Sequence, residues 1–377
     1  MIAKLLFPIV LGILLTCIYL HRYYWQRRWM KALGWLVGVI GIYATISLSL
    51  SHDYFPDNID HLLWYLHLLC LIIIPAVLFA LFSVIGRLLK RQKGGNRTGI
   101  ILSVVFILIY LYGTFVGSQQ FEVVRVSFKN KDLPAAFDGY RIVQVSDLHV
   151  GTFTGNRRQQ LQQVIDSINA QEADLVVFTG DLQNKRPEEI TVCRQVLSQV
   201  KAKDGVLAVL GNHDYAEYQG GDAKSRAANC EKTIQAIRSL GWDLLLNEHR
   251  VLRRGTDSIV VAGMENDGVG RFPQKGDMAK TLSGVDSSAF VLMIEHDPTS
   301  WRRKIVPDGR AQLTLSGHTH GGQMTFFGWT PARLTYDAVS GRYDEGHQTL
   351  YVTKGAGGVI PFRFATPREI VVITMKK

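Results

Sequence analysis

Residues 206–214 read VLAVLGNHD: an apolar run meets a glycine, then an amide, an imidazole and a carboxylate in succession. A short, continuous, β-branched run bounded by glycine reads as a buried strand, and Gly211 lets the chain turn sharply at its end. Asn212 can offer a neutral carbonyl oxygen to a cation, and Asp214 can hold His213 in one tautomer. An Asn-containing turn is the plainer alternative for this piece alone.

The same arrangement repeats along the chain. The run at 141–146 leads into SDLH, that at 174–179 into GDLQ, that at 289–295 into EHDP, and that at 312–316 into GHTHGGQ. A further strand reads at 258–262, and amphipathic helical stretches lie at 156–170, 187–201 and 224–240. Strands alternating with helices give an α/β class, with polar groups just beyond the strands, where open α/β sheets place their ligands.

Each constellation carries donors for a metal. Asp147 and His149, two apart at a strand end, project to the same side and can reach one cation together; a capping Asp beside a surface His is the alternative. Asp181 follows a very apolar run, and its two carboxylate oxygens can bridge two ions, although a single Asp there is also a common turn residue. His296 and the pair His318 and His320, the latter in a glycine-rich loop, complete the set. Hard oxygen and borderline nitrogen donors without cysteine suit two divalent ions such as Mn, Fe or Zn better than Ca or a structural zinc site.

These five blocks, in this order, resemble the signature of calcineurin-like metallophosphoesterases over about residues 140–325. The stretch 350–370, LYVTKGAGGVIPFRFATPREI, resembles the end of the membrane-associated bacterial branch of that family. The resemblance implies a sandwich of two facing mixed sheets flanked by helices. It also implies that Asp147, His149, Asp181 and His320 hold one metal and that Asp181, Asn212, His296 and His318 hold the other. His213 then contacts the phosphoryl oxygens or the leaving group, with Asp214 orienting it. The reaction implied is direct hydrolysis of a phosphoester, in which the metals lower the pKa of a shared water and clamp the phosphoryl oxygens. The sequence departs from the pattern at Arg368, which stands where an acidic residue should follow Pro367 directly, and this bears on substrate preference rather than on the chemistry.

Before residue 117 the composition is different: long apolar runs at 2–19, 33–50, 62–85 and 99–116, each enough to cross about 30 Å of hydrocarbon as a helix. The expected organisation is therefore a four-helix transmembrane anchor over 1–116 and a metallophosphoesterase domain over 117–377. Arg22, Arg27, Arg28 and Lys31 lie in the first loop, and Arg87, Lys90, Arg91, Lys93 and Arg97 in the third, whereas the second has no Lys or Arg. Basic loops stay in the cytoplasm, so both chain ends and the catalytic domain are expected outside it, in a bacterial inner or plasma membrane. Ten Lys and Arg against three Asp leave +7 of the net +10 in these 116 residues. The basic balance is thus a topology signal and calls for no nucleic acid partner.

Trp25, Trp29, Trp35, Tyr23 and Tyr24 fit a membrane interface. The segment SHDYFPDNIDH, with His52, Asp53, Asp57, Asp60 and His61, reads as a solvated loop, and Cys193 and Cys230 as free thiols or one disulfide. The partners expected are membrane lipids and a phosphorylated lipid or cell-envelope substrate. A hydrolase of UDP-2,3-diacylglucosamine is an alternative, although that substrate is expected on the cytoplasmic face. A non-catalytic scaffold that only binds metal is another, against which the full donor set stands.

Overall fold

Apolar runs too long for strands form helices throughout the first part of the chain. The computed structural model describes residues 2–50 and 59–377; His52, Asp53 and Asp57 of the acidic loop lie outside them. Helix α1 spans Ile2–Tyr23 and α2 Arg28–Leu50. A third rod runs from α3 (Ile59–Leu68) through one π turn (Leu69–Ile73) into α4 (Ile74–Leu88), and α5 spans Gln92–Phe115. The π turn has a local cause in Pro75, which lacks an N–H and crowds the carbonyl of Leu71, so that widening the turn relieves the clash. Four stretches, Leu6–Tyr23, Arg28–Leu50, Ile59–Leu88 and Gln92–Gln119, are long and apolar enough to cross a membrane. The last three outrun the apolar runs at 33–50, 62–85 and 99–116 in part because the helices continue into flanking Arg and Lys residues, whose apolar stems extend the span.

Packing of α4 on α5 depends on missing side chains. A Cβ on Gly95 would lie 2.4 Å from the Phe82 carbonyl oxygen and 2.7 Å from Gly86 Cα, so the two backbones touch there. Beside this contact, Ser83 and Tyr24 both donate to Asn96 Oδ1, at 2.6 and 2.8 Å, which satisfies polar groups that would be costly among apolar helices.

The chain divides into two compact units, Met1–Val116 and Gly117–Lys377. The second contains two six-stranded mixed sheets. In the first sheet β1 (Phe121–Lys129) lies parallel to β12 (Arg368–Lys376), which runs antiparallel to β2 (Arg141–Val145). Strands β3 (Leu175–Phe178), β4 (Val206–Ala208) and β5 (Asp243–Leu244) follow β2 in parallel. The second sheet has β6 (Glu248–Arg254) antiparallel to β7 (Asp257–Gly263), then β8 (Val291–Ile294), β9 (Ala311–Ser316) and β11 (Gln348–Val352) in parallel, and β10 (Gly341–Glu345) antiparallel at the edge.

Alternation along the strands builds the layers. Ile142, Leu175 and Val177 face the second sheet and meet Ile259, Val261, Leu292 and Leu313. Their neighbours Val143, Val176 and Phe178 face outward onto α6 (Arg158–Asn169), α7 (Glu188–Leu197) and α8 (Ala223–Arg238), through residues such as Leu161, Ile165, Ile190 and Ile237. Cys193 and Cys230 pack separately against that helical layer as free thiols. Because β2, β3 and β4 are mutually parallel, as are β8 and β9, each group presents its chain exits at one end.

Gly95→Leu should destabilise the helical unit by about 1–3 kcal/mol, the usual cost of overpacking, read as a lower thermal midpoint in detergent. An unchanged midpoint would show that the α4–α5 contact is not close-packed.

Candidate metal centre

The exits from the strands are conformationally unusual. Asp147, His149, Asp181, His318 and His320 all have positive φ, between 46° and 73°. Non-glycine residues pay for that region sterically, and a cluster of them marks a functional site. Gly180, with φ 96°, makes the adjoining turn, and a Cβ there would lie 2.6 Å from the Gly211 nitrogen and 2.7 Å from His296 Nδ1. Beyond the ladders the loops still pair: the amide of Asp147 donates to Gly180 O at 2.9 Å and that of His149 to Asp181 O at 3.1 Å.

Asp214 anchors this corner. Its carboxylate accepts from the backbone amides of Asp181, Gln183 and Gly211 at 2.8, 3.1 and 2.9 Å, and from that of Leu182 at 3.0 Å. The expectation that Asp214 orients the His213 ring therefore needs correction. His213 Nδ1 donates instead to the Asn184 carbonyl at 2.5 Å, because both carboxylate oxygens of Asp214 are committed to the loop that carries Asp181. Gln183 adds a bond from its side chain to His213 O at 2.9 Å.

All seven expected ligand residues come together, buried. Three groups bring their donor atoms within 4.8 Å of one another: Asp147 with His149 and His320; His149 with Asp181 and His213; and Asp181 with His296 and His318. Asp181 Oδ2 stands 3.6 Å from His149 Nε2 and 3.2 Å from His296 Nε2, between the first and last groups. Asn212 Oδ1 lies 3.2 Å from His296 Nε2 and 2.7 Å from His318 Nδ1. The Asn212 amide is oriented by Tyr218, whose hydroxyl accepts from Nδ2 at 2.9 Å, so the oxygen faces the histidines.

The protons decide whether such a cluster fits a cation. His296 Nδ1 must donate to the Thr179 carbonyl, 2.8 Å away, which turns Nε2 towards two oxygens, Asp181 Oδ2 and Asn212 Oδ1. His149 Nε2 and His320 Nε2 face each other at 3.3 Å. Lone pairs and carboxylates thus converge on a common space without enough protons to separate them, and divalent ions resolve that conflict. The electrostatics agree: burial lowers His149 and His320 well below the ordinary histidine value, keeping them neutral donors. Burial acts the same way on His296, yet the Asp181 carboxylate prevails and pushes it up to about 10, which marks where positive charge is most wanted. Asp147 is pushed up to about 6 by burial, against the attraction of His296.

Several neighbours carried no strand-end signal and were not legible in the sequence. Tyr336 donates or accepts at His318 Nε2 across 3.0 Å, Phe272 stacks edge-on to the same ring at 4.8 Å, and Arg271 lies over Phe272 at 5.3 Å. Tyr218 packs on His213 with ring centroids 4.3 Å apart. Their loops are long and irregular, so only the fold brings them to the site.

Residues 140–322 match the family model described as calcineurin-like phosphoesterase. YkuE, an uncharacterised metallophosphoesterase of Bacillus subtilis, is 30% identical over 277 residues, which are 71% of this chain and 90% of the relative. The chain belongs to the calcineurin-like phosphoesterase family. As a calcineurin-like phosphoesterase it is a metal-dependent enzyme. A transmembrane protein with metallophosphoesterase domain from Danio rerio is 29% identical over 363 residues, 89% of this chain and 80% of the relative. The UDP-2,3-diacylglucosamine pyrophosphatase LpxG of Chlamydia trachomatis is 27% identical over 332 residues, 73% of this chain and 97% of that enzyme.

Asp214→Ala would strand several buried amides of this phosphoesterase at once, and the expected loss is about 3 kcal/mol or more. Thermal unfolding of the purified chain measures it; a midpoint equal to that of the unaltered protein would show that water replaces the carboxylate.

Proposed function

We propose that this calcineurin-like phosphoesterase is anchored by its four apolar helices. In this reading it hydrolyses a phosphoester or pyrophosphate bond in a lipid-linked or cell-envelope substrate. The observation that carries the chemistry is the convergence on Asp181 of donors from both sheets, in the two groups described above. In this reading Asp147, His149, Asp181 and His320 hold one divalent ion, and Asp181, Asn212, His296 and His318 the other, with Mn, Fe or Zn matching the donors. Such a pair supplies a water of lowered pKa and positive charge for the phosphoryl oxygens.

The chain's own residues do the rest. Asp181 holds the two halves of the site in register, and its Oδ1 accepts the His213 backbone amide at 2.8 Å. The Asn184 carbonyl fixes the His213 ring through Nδ1, so chemistry at this residue runs through Nε2, which donates to the departing oxygen when the ring carries its second proton. Burial and the charge of Arg271 both lower the His213 pKa, which makes that proton easy to give up. Arg271, over Phe272 at the rim, adds positive charge where an anionic substrate would enter.

A lipid-linked substrate is supported by the four candidate spans, and the loop charges support an extracytoplasmic catalytic unit in this reading. A second reading, cleavage of the UDP-2,3-diacylglucosamine pyrophosphate bond, draws on the alignment with nearly the whole of LpxG. It requires the catalytic unit on the opposite side of the membrane.

Hydrolysis of an aryl phosphodiester and a panel of lipid phosphates by detergent-purified protein, with Mn or with chelator, tests the proposal. Turnover should need metal, vanish in Asp181→Ala and be faster on the lipids. Equal or lower rates on lipids would remove the lipid assignment, and turnover in chelator would remove the two-metal reading. His213→Ala should retain bound metal by elemental analysis while losing about 10²-fold to 10⁴-fold in kcat; near-normal turnover would refute its role.

A further inference from the structure

Arg368 broke the sequence pattern, and its place in the fold is unusual. It opens β12, is only 4% exposed, and lines one recess together with Arg363, which is 2% exposed. Neither guanidinium forms an ion pair among the described residues, and the Nε atoms of both are buried without a hydrogen-bond partner. The remaining donors reach only backbone carbonyls: Arg363 those of Lys354, Gly357 and His320 at 2.9, 2.6 and 3.3 Å, and Arg368 those of Ala356 and Gln119 at 3.4 Å each. The carboxylate next in sequence, Glu369, is taken by Lys354 at 2.9 Å. Two like charges therefore share one wall with no direct ion pair among the described residues, the Asp147 and Glu369 carboxylates acting on Arg363 only from farther away, although buried charges are normally paired.

The rest of the recess has the chemistry of a head-group site. Gln160 lies in the first turn of α6, which has no acidic residue, so the helix N-terminus adds to the positive potential. The recess leaves about 20 Å³ for the centres of water-sized molecules, room for an oxygen-sized atom. Ile360 and Pro361 supply an apolar rim, and Ser118 forms part of the wall. Ser118 follows Phe115, the last residue of α5, by only three residues and falls inside the last candidate span, Gln92–Gln119.

We propose that the recess bounded by Arg363, Arg368, Gln160 and Ser118 binds the phosphate of a phospholipid head group, which brings negative charge beside the two guanidinium groups. Arginine pairs are suited to phosphate geometry, and the apolar rim receives the glycerol end. The proposal rests on the reading of the first 116 residues as membrane-spanning and is independent of phosphoesterase activity. It also ties lipid to the site, because the Arg363 guanidinium donates to the carbonyl of His320, and the amide of Gly357 donates to that of Asp147 at 3.0 Å.

The test is binding of dioleoylphosphatidylglycerol, and separately of inorganic phosphate, to the full chain in a neutral detergent with chelator present, so that the metal centre takes no phosphate. Gln160→Glu places a negative charge at the recess on a helix start that tolerates it, and Arg368→Gln removes one of the two unpaired charges. Both should weaken lipid binding about tenfold or more, the scale of one hydrogen bond to a charged group. Lipid binding unchanged in Gln160→Glu would overturn the proposal, even if Arg368→Gln fails to fold. Inorganic phosphate binding as tightly as the lipid, and weakened equally by Gln160→Glu, would also overturn it in favour of a free-anion site.

Discussion

The Asp181 carboxylate is the point on which the rest of the catalytic unit depends. One oxygen faces histidines from two different exits, His149 and His296, and the other accepts the His213 amide. A charge buried to 1% exposure must be compensated on every side, and here compensation comes from both sheets. The sandwich packing brings those sheets together, Asp214 pins the loop, and the positive φ angles follow from aiming side chains from several strand ends at one space. Removing the reason for convergence would leave a set of strained turns with nothing to hold them.

What could be read in the sequence was what strand periodicity and strand exits encode. The runs ending at Ser146, Thr179, Leu210, Glu295 and Ser316 lie at the strands of both sheets that carry the site, and the residues after them meet in space. The role expected for Asp214 failed because adjacency in GNHD suggested a side-chain pair, whereas the turn points its carboxylate back at backbone amides. Edge strands such as β10, with the sequence GRYDE and mostly exposed, carry no apolar signal, since an edge is kept polar to prevent stray pairing. Tyr218, Phe272 and Tyr336 come from loops whose path only the assembled fold defines.

The two units are held together differently. In the helical one, glycines at the α4–α5 contact and hydrogen-bonded Ser83, Tyr24 and Asn96 do the work of specificity, since helices apolar on most faces distinguish their neighbours by close backbone approach and polar pairs. In the other, apolar residues on both faces of the first sheet make separate cores, and the polar groups are concentrated where the strands end.

Strand β12 lies between β1 and β2 in the first sheet, although it comes last of the three in the chain. The ribosome has made every proposed metal ligand well before residue 368, yet β1 and β2 have no direct bond to each other, and the Asp147 loop rests on the backbone of Gly355 and Gly357 just ahead of β12. During synthesis β2, β3 and β4 can pair with one another before β12 exists, whereas β1 has to wait for it. Such long-range closure is slow, so the backbone support of the Asp147 loop arrives later than the ligand residues themselves.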